Sequence, residues 1–554
     1  MSYIVVNWME TDILIIGGGS AGTMAAIVAK EQNPDMDVLV IEKGEITRSG
    51  SIALGMDALN IVVQPGKTTP ELYLESARTA TEGILDYKPS QVMAERSYSI
   101  LKRLEGWGIR FPKNNDNEYI SLQVHAKGKF LLEMDSPDLK IILAKKLKEM
   151  NVRVLNRTMI TRLLVNNGLV YGAMGFNLRT GELVVCKSKA TILANGGCAR
   201  FSLPNSGYLY GTFDYPGNAG DGYALAYRAG AQLTGFEYTS CSPLIKDINC
   251  PLLYITLTRG GKVINAFGKE IELEYLSTQT MLKELREGRG PIFIKLSHLP
   301  EERIQEIERI LFSTERPIQK RFWENRGIDF REGLIELGIT EYQLCGGHGL
   351  TGVVINEKTE TSLKGLFAAG DVACVPLQHL TGAFVFGEIA GETAVDFASK
   401  NEPNKIDEVI VQAEEQRLFS FMSQKNNDNT ITPREFEYKV RRIISDYVVP
   451  PKNEQKLLQA LWWIPRFRDE IENLQAKDYH ELSRLIEIQF ILDCTELSTY
   501  ASLERKESRW GWFHYRTDYP LKDDNNWIKH IVLEKGEKLG EVKISLVPIK
   551  TKGE

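Results

Sequence analysis

The residues whose spacing most clearly suits chemistry stand near the start of the chain. Asp12-Ile13-Leu14-Ile15-Ile16 is a short apolar run of the kind that forms a buried strand. It leads directly into Gly17-Gly18-Gly19-Ser20-Ala21-Gly22. The spacing Gly17-x-Gly19-x-x-Gly22 has a mechanical meaning. The first glycine permits a tight turn, the second lets backbone approach a pyrophosphate, and the third lets helix and strand pack closely. The phosphates would then meet the positive end of a helix beginning at Ser20 and Ala21. Val38-Leu39-Val40-Ile41 reads as a second strand and ends at Glu42, followed by Lys43. An acid there is placed to accept hydrogen bonds from ribose hydroxyls. Strand, glycine turn, helix, strand and acid make a dinucleotide-binding βαβ unit.

Two later segments choose between dinucleotides. Residues 190–197 form another apolar run entering a glycine turn, with Ala194 and Gly196 at its end. Residues 365–371 repeat the pattern and end on Gly370-Asp371. Both fit the segments that line FAD in flavoproteins of the glutathione reductase type, where the Asp binds the ribityl or pyrophosphate part. FAD is therefore the expected cofactor. Asp371 also reads as a helix N-cap, and the two roles can coexist.

Three further motifs, in order along nearly the whole chain, resemble the fumarate reductase/succinate dehydrogenase flavoprotein family. They are Arg48-Ser49-Gly50-Ser51-Ile52-Ala53-Leu54-Gly55; Ala219-Gly220-Asp221-Gly222-Tyr223-Ala224-Leu225-Ala226; and Glu507-Ser508-Arg509 with His514-Tyr515-Arg516-Thr517-Asp518. Within the family, the stretch from Arg48 to Asn60, the Gly346-Gly347-His348 turn and the tail from Arg509 to Pro520 are most similar to the adenylylsulfate reductase alpha branch. The resemblance implies that Ser49, Gly50, Ser51, Asn60, Asp221, Thr381 and Ala383 contact FAD. It also implies that electrons pass to a separate ferredoxin-like iron–sulfur subunit. Residues 46–50 contain no histidine to bond the flavin, so FAD is expected to be noncovalent.

The substrate is less determined. The carboxylate-clamping arginine of dicarboxylate enzymes is missing from His379-Leu380-Thr381-Gly382-Ala383. The arginines of the adenylylsulfate reductase branch are missing from residues 238–245 and 274–279, leaving Lys246 and Arg259 as the nearest cations. Arg259, His348 and His379 are the expected catalytic residues, with His125 a weaker candidate. Near a flavin such groups hold or supply a proton or stabilise negative charge. Three readings stay open. The first is an adenylylsulfate-reductase-like enzyme acting on a small anionic, sulfur-containing substrate. The second is a fumarate-reductase-like enzyme acting on an unsaturated compound. The third is a chain whose flavin only relays electrons within a larger redox complex.

These groups need a scaffold. The fold class expected is α/β: a glutathione-reductase-type FAD-binding domain with an inserted α+β capping domain, a helical domain and a C-terminal extension. The FAD-binding domain takes residues 1–235 and 345–404, the cap 236–344, the helical domain 405–500 and the extension 501–554. Residues 70–110 read as helical. Strands are expected at 152–155, 160–165, 170–177, 183–186 and 190–194. The stripe Leu482, Leu485, Ile486, Phe490, Cys494 and Leu497 reads as core packing. Trp510, Trp512, Phe513, Tyr515, Tyr519 and Trp527 read as a packed cap on the flavin domain or as a docking surface for the partner.

Composition limits the rest. A net charge of −6 argues against nucleic-acid binding. No run of about 18 apolar residues suggests a membrane span. The opening residues lack a basic and apolar leader, so a cytoplasmic location is expected. The seven cysteines (Cys186, Cys198, Cys241, Cys250, Cys345, Cys374 and Cys494) form no C-x-x-C pair, so no metal or cluster site is expected in this chain.

Overall fold

A computed structural model describes residues 5–552 apart from 57, 205–211, 213, 248–251, 273–277, 316–318 and 424–430. Cys250 lies outside the described residues. The central sheet starts with strand Val6–Ile16, whose inner end is fully buried. It pairs in parallel with Val38–Ile41 on one side and Leu183–Leu193 on the other. Arg153–Leu155 extends the first side in parallel. Apolar runs buried on both faces are what a parallel sheet requires, and helices Ser20–Gln32 and His379–Ala398 pack together over it.

Strand Leu183–Leu193 departs from expectation. Its polar middle, Lys187-Ser188-Lys189, reads in sequence as a break between two strands, yet the strand is continuous. Ser188 is buried and hydrogen-bonded to the Thr191 hydroxyl, while Lys187 and Lys189 reach outward to Glu10 and Asp12. Along its far edge the strand changes partner. Residues 183–187 pair antiparallel with Leu169–Asn177, and residues 191–193 pair in parallel with Leu366–Ala368. The late segment thus enters the same sheet beside the glycine turn.

Residues 243–339 hold an antiparallel four-stranded sheet: Pro243–Ile245, Leu334–Ile339, Ile292–Lys295 and Lys262–Ile264. Beyond residue 405 come helices Glu408–Ser423, Pro433–Ile443, Glu454–Ile471 and Tyr479–Glu504. The stripe from Leu482 to Leu497 is buried, as are the intervening Ser483, Glu487, Asp493 and Glu496, so this last helix runs through the interior. Among the described residues no helix is long and apolar enough to cross a membrane.

The tail returns to the core. Strands Lys529–Lys535 and Val542–Pro548 form a hairpin whose first strand pairs with Leu233–Thr234. Before it, Arg505 is fully buried and binds Glu237 and Glu507, each at 2.9 Å, joining the tail to the point where the chain leaves Leu233–Thr234 for the second sheet. Removing one member of a buried ion network strands its partners. Arg505→Met is therefore expected to destabilise the fold by about 3–5 kcal/mol. Thermal unfolding followed by circular dichroism measures this, and an unchanged midpoint would count against the network's role.

Candidate active site

Steric limits on the glycine turn create the site. Gly17 has φ 107° and passes so close to the Ala194 carbonyl that a Cβ would collide with it. A Cβ on Gly22 would strike the Gly17 carbonyl. Gly19 differs: a Cβ there would meet nothing within 4 Å, because it faces a cavity of about 760 Å³. Gly19 precedes helix Ser20–Gln32, whose first turn has no side-chain cap, so its N–H groups are available to an anion. Glu42 is buried at the same turn. Its two carboxylate oxygens accept from the Gly18 and Gly44 N–H groups, each at 2.7 Å.

The cavity collects most of the residues expected to hold FAD. Gly17, Gly19, Ser20, Ala21, Glu42, Lys43, Gly50, Ser51, Asn60, Ala194, Gly196, Asp221, Gly370, Asp371 and Ala383 line it. Gly22 lies beneath the turn. The Thr381 hydroxyl accepts from Ile61 N–H at 3.1 Å and does not face the cavity. Ser49 is buried next to the lining Gly50, and its Oγ has no hydrogen-bond partner among the described residues. The same is true of Asn195 Oδ1 and His379 Nδ1, both on cavity residues. Three orphaned polar atoms beside an uncapped helix and an open glycine fit an extended ligand with phosphates and hydroxyls.

Three of these placements add detail that sequence spacing lacks. Lys43 binds Asp221 at 2.7 Å and Glu487 at 2.8 Å. Glu487 in turn binds Arg200, so the cavity wall is tied to the long C-terminal helix. Burial would raise the Glu487 carboxyl, but Arg200 and Lys43 hold it down at about 2. Asp371 is pushed up to about 7, chiefly by burial and then by Asp214 across the cavity wall. Asp214, which the sequence reading passed over, is bonded to the Ser51 hydroxyl.

The histidines converge. His348 and His379 stand edge to face with ring centres 5.1 Å apart. His125 Nε2 lies 2.7 Å from the Asn60 carbonyl. That oxygen can only accept, so Nε2 carries the proton and neutral His125 has its lone pair on Nδ1. Burial lowers all three below the ordinary histidine range, and His379 is lowered further by His348 and His125. His379 also has φ 47°, a left-handed conformation that a non-glycine residue holds only when its surroundings enforce it.

Arg259 is a correction. It is buried away from the cavity, with its guanidinium taken by Glu133 and by Glu306 at 2.8 Å. Lys246 is bound to Glu336 at 2.8 Å. Among the described lining residues Lys43 is the one lysine or arginine, and it is already paired. One exposed cation that does not line the cavity touches a residue that does. Arg286 lies over the Trp512 ring, 3.7 Å from its centre, and Trp512 stacks on Tyr515 at 4.9 Å. Trp510, Gly511, Trp512 and Phe513 all line the cavity. The aromatic cluster of the tail is thus partly a wall of the site. No local spacing could show this, because Arg286 and Trp512 are far apart in the chain.

Comparison with known proteins agrees with this geometry. Residues 12–381 match the FAD binding domain family, and residues 437–553 match the fumarate reductase flavoprotein C-terminal family. The chain belongs to the fumarate reductase/succinate dehydrogenase flavoprotein family. It is a FAD-dependent oxidoreductase, and FAD is its cofactor. It is 28% identical to an uncharacterised FAD-dependent oxidoreductase of Methanocaldococcus jannaschii, over 96% of this chain and 97% of that one. It is 26% identical to one of the subunits of the fumarate reductase (CoM/CoB) of Methanothermobacter marburgensis, over 95% and 97%. Adenylylsulfate reductase from Archaeoglobus fulgidus superposes with a TM-score of 0.90 at 26% identity, covering 98% of this chain and 96% of that one.

Two outcomes follow for this flavoprotein. Gly19→Ala adds a Cβ that meets no protein within 4 Å, so it should weaken FAD binding strongly while costing the FAD-free protein only the roughly 1 kcal/mol of a poorer helix N-cap. Flavin-fluorescence titration and thermal melts read the two effects, and unaltered FAD affinity would contradict the cradle. Burial disfavours charge on His348 and His379. The rate per bound substrate should therefore show no histidine titration near the ordinary value of 6.5 and fall only at more acid pH, where the imidazoles gain protons. A midpoint near the ordinary value that persists in Asp371→Asn, which removes the cavity carboxyl pushed up to about 7, would contradict this.

Proposed function

We propose that the protein is the flavoprotein subunit of a reductase similar to adenylylsulfate reductase. It exchanges two electrons with a small anionic, sulfur-containing substrate and single electrons with a ferredoxin-like iron–sulfur subunit. The observation that carries this reading is the convergence of His125, His348 and His379 on the cavity that begins at Gly19. The extent of the likeness to adenylylsulfate reductase supports it. FAD, when bound, supplies a centre that takes electrons in pairs and releases them singly.

The chain's own residues have separable tasks. Glu42, the uncapped first turn at Gly19 and Asp371 would bind the cofactor. Neutral His348 and His379 can each accept a proton at a ring nitrogen or, in the alternative tautomer, donate one. The walls of Trp510, Trp512 and Phe513 keep water from the reacting groups, which strengthens electrostatic effects inside. Arg286 rests its guanidinium on the Trp512 ring and steadies that wall without itself lining the cavity. Among the described residues no group of three or more cysteines gathers. The likeness to adenylylsulfate reductase and to a fumarate reductase subunit is what supports a separate chain as the electron partner.

A second reading is reduction of an unsaturated organic compound, favoured by the identity to the Methanothermobacter fumarate reductase chain. The absence of arginine from the described cavity lining weighs against a dicarboxylate, which is best held by a bidentate guanidinium. The two are separated by anaerobic assays of the FAD-loaded protein with its partner chain. Sulfite- and AMP-dependent reduction of an artificial acceptor is expected. Oxidation of a reduced viologen by enoates alone would move the assignment to the second reading, and no turnover with either would leave an electron relay. The flavin is expected to be released by acid precipitation, since residues 46–50 offer no histidine for a covalent bond. Yellow colour remaining in the washed pellet would contradict noncovalent binding.

A further inference from the structure

We propose that Lys140 is a positioning residue for FAD, holding the glycine turn and neutralising Glu42 from outside the cavity. The proposal rests on FAD as the cofactor and is independent of which substrate is reduced. Lys140 is the second residue of helix Leu139–Glu149 and is only 3% exposed. Its ammonium donates to the carbonyl of Gly18, the residue between the two glycines that shape the turn. The Gly18 N–H donates in the opposite direction, to Glu42. Gly18 is therefore fixed at both ends, by a cation on its carbonyl and an anion on its amide. The amide lies in the Gly17–Gly18 peptide and the carbonyl in the Gly18–Gly19 peptide, so a rotation of either unit would break one of the two bonds and spoil the approach at Gly19.

The charges around Lys140 make the arrangement cooperative. Glu42 and Glu45 both act on the ammonium. The helix Leu139–Glu149 packs against helix Ser20–Gln32 and the turn Ser51–Leu54. Helix Ser20–Gln32 carries charge only at Lys30 and Glu31, near its far end, and the turn carries none. Lys140 thus faces two carboxylates with no competing cation on these elements. Burial lowers its pKa to about 8, so the charge that completes the device is lost within an accessible pH range. Without it, the negative charge of Glu42, held by the Gly18 and Gly44 N–H groups beside the site that receives phosphates, loses the opposing charge on this side of the turn, and like charges repel.

Protonated Lys140 favours binding, so the affinity of the protein for FAD should fall as pH rises through about 8. The test is fluorescence titration of FAD-free protein with FAD between pH 7 and pH 9, with thermal melts of the FAD-free protein at each pH; every protein compared carries Asp371→Asn, because Asp371 on the cavity lining is itself pushed up to about 7 and would add its own titration. Lys140→Met should bind FAD about 10- to 100-fold more weakly at pH 7, the usual size of one lost charge-assisted hydrogen bond, and should lose the pH dependence. Lys140→Arg keeps a charge that does not titrate in this range, so its affinity should stay level from pH 7 to pH 9. If Lys140→Met fails to fold, the wild-type and Lys140→Arg profiles still decide. Wild-type affinity that is level across the range, or an arginine variant that falls in parallel with it, would overturn the proposal. A Lys140→Met protein that binds as tightly as the wild type would overturn it too.

Discussion

The approach of Gly17 to the Ala194 carbonyl is the constraint on which the rest depends. Two parallel strands end side by side, and their tips come closer than side chains allow. Helix Ser20–Gln32 then descends onto the Gly17 carbonyl through Gly22. With both glycines used for contact, the turn leaves Gly19 facing outward, and a crevice opens at the strand ends. Open parallel sheets bind ligands at this place for the same geometric reason. The change of partner along Leu183–Leu193 brings Leu366–Ala368 to the same edge, which delivers Gly370 and Asp371 to the crevice.

The electrostatics follow from this enclosure. The described lining includes the carboxylates of Glu42, Glu82, Asp214, Asp221 and Asp371 but Lys43 alone among lysines and arginines. Other cations work from behind the wall. Arg200 pairs with Glu487, which shares Lys43 with Asp221, and Lys140 stands behind Gly18. At the histidine end, burial favours the neutral imidazoles, and His348 and His125 add to this at His379. The chain keeps these imidazoles uncharged and places the guanidinium of Arg286 against the ring of Trp512.

What could be read from the sequence was local. The glycine spacing, Glu42 and the Gly370-Asp371 turn lie in short segments whose geometry is set by neighbouring residues, and they face the cavity. Residues joined across hundreds of positions were not legible. Arg259 has a promising local setting, but its partners Glu133 and Glu306 come from segments whose meeting no periodicity reveals. Lys43 reads as a cofactor contact beside Glu42, yet Glu487, on a distant helix, takes part of its charge. Lys140 begins an ordinary amphipathic helix, and only the fold places its ammonium on Gly18. The histidines could be named individually. Their common cavity could not.

A crystal structure of the FAD-loaded protein tests the central claim most directly. The account expects density for the dinucleotide filling the cavity from Gly19 and Glu42 to Asn60 and His379, with no covalent bond to any histidine. FAD bound elsewhere, or a flavin whose ring is remote from His348 and His379, would contradict it.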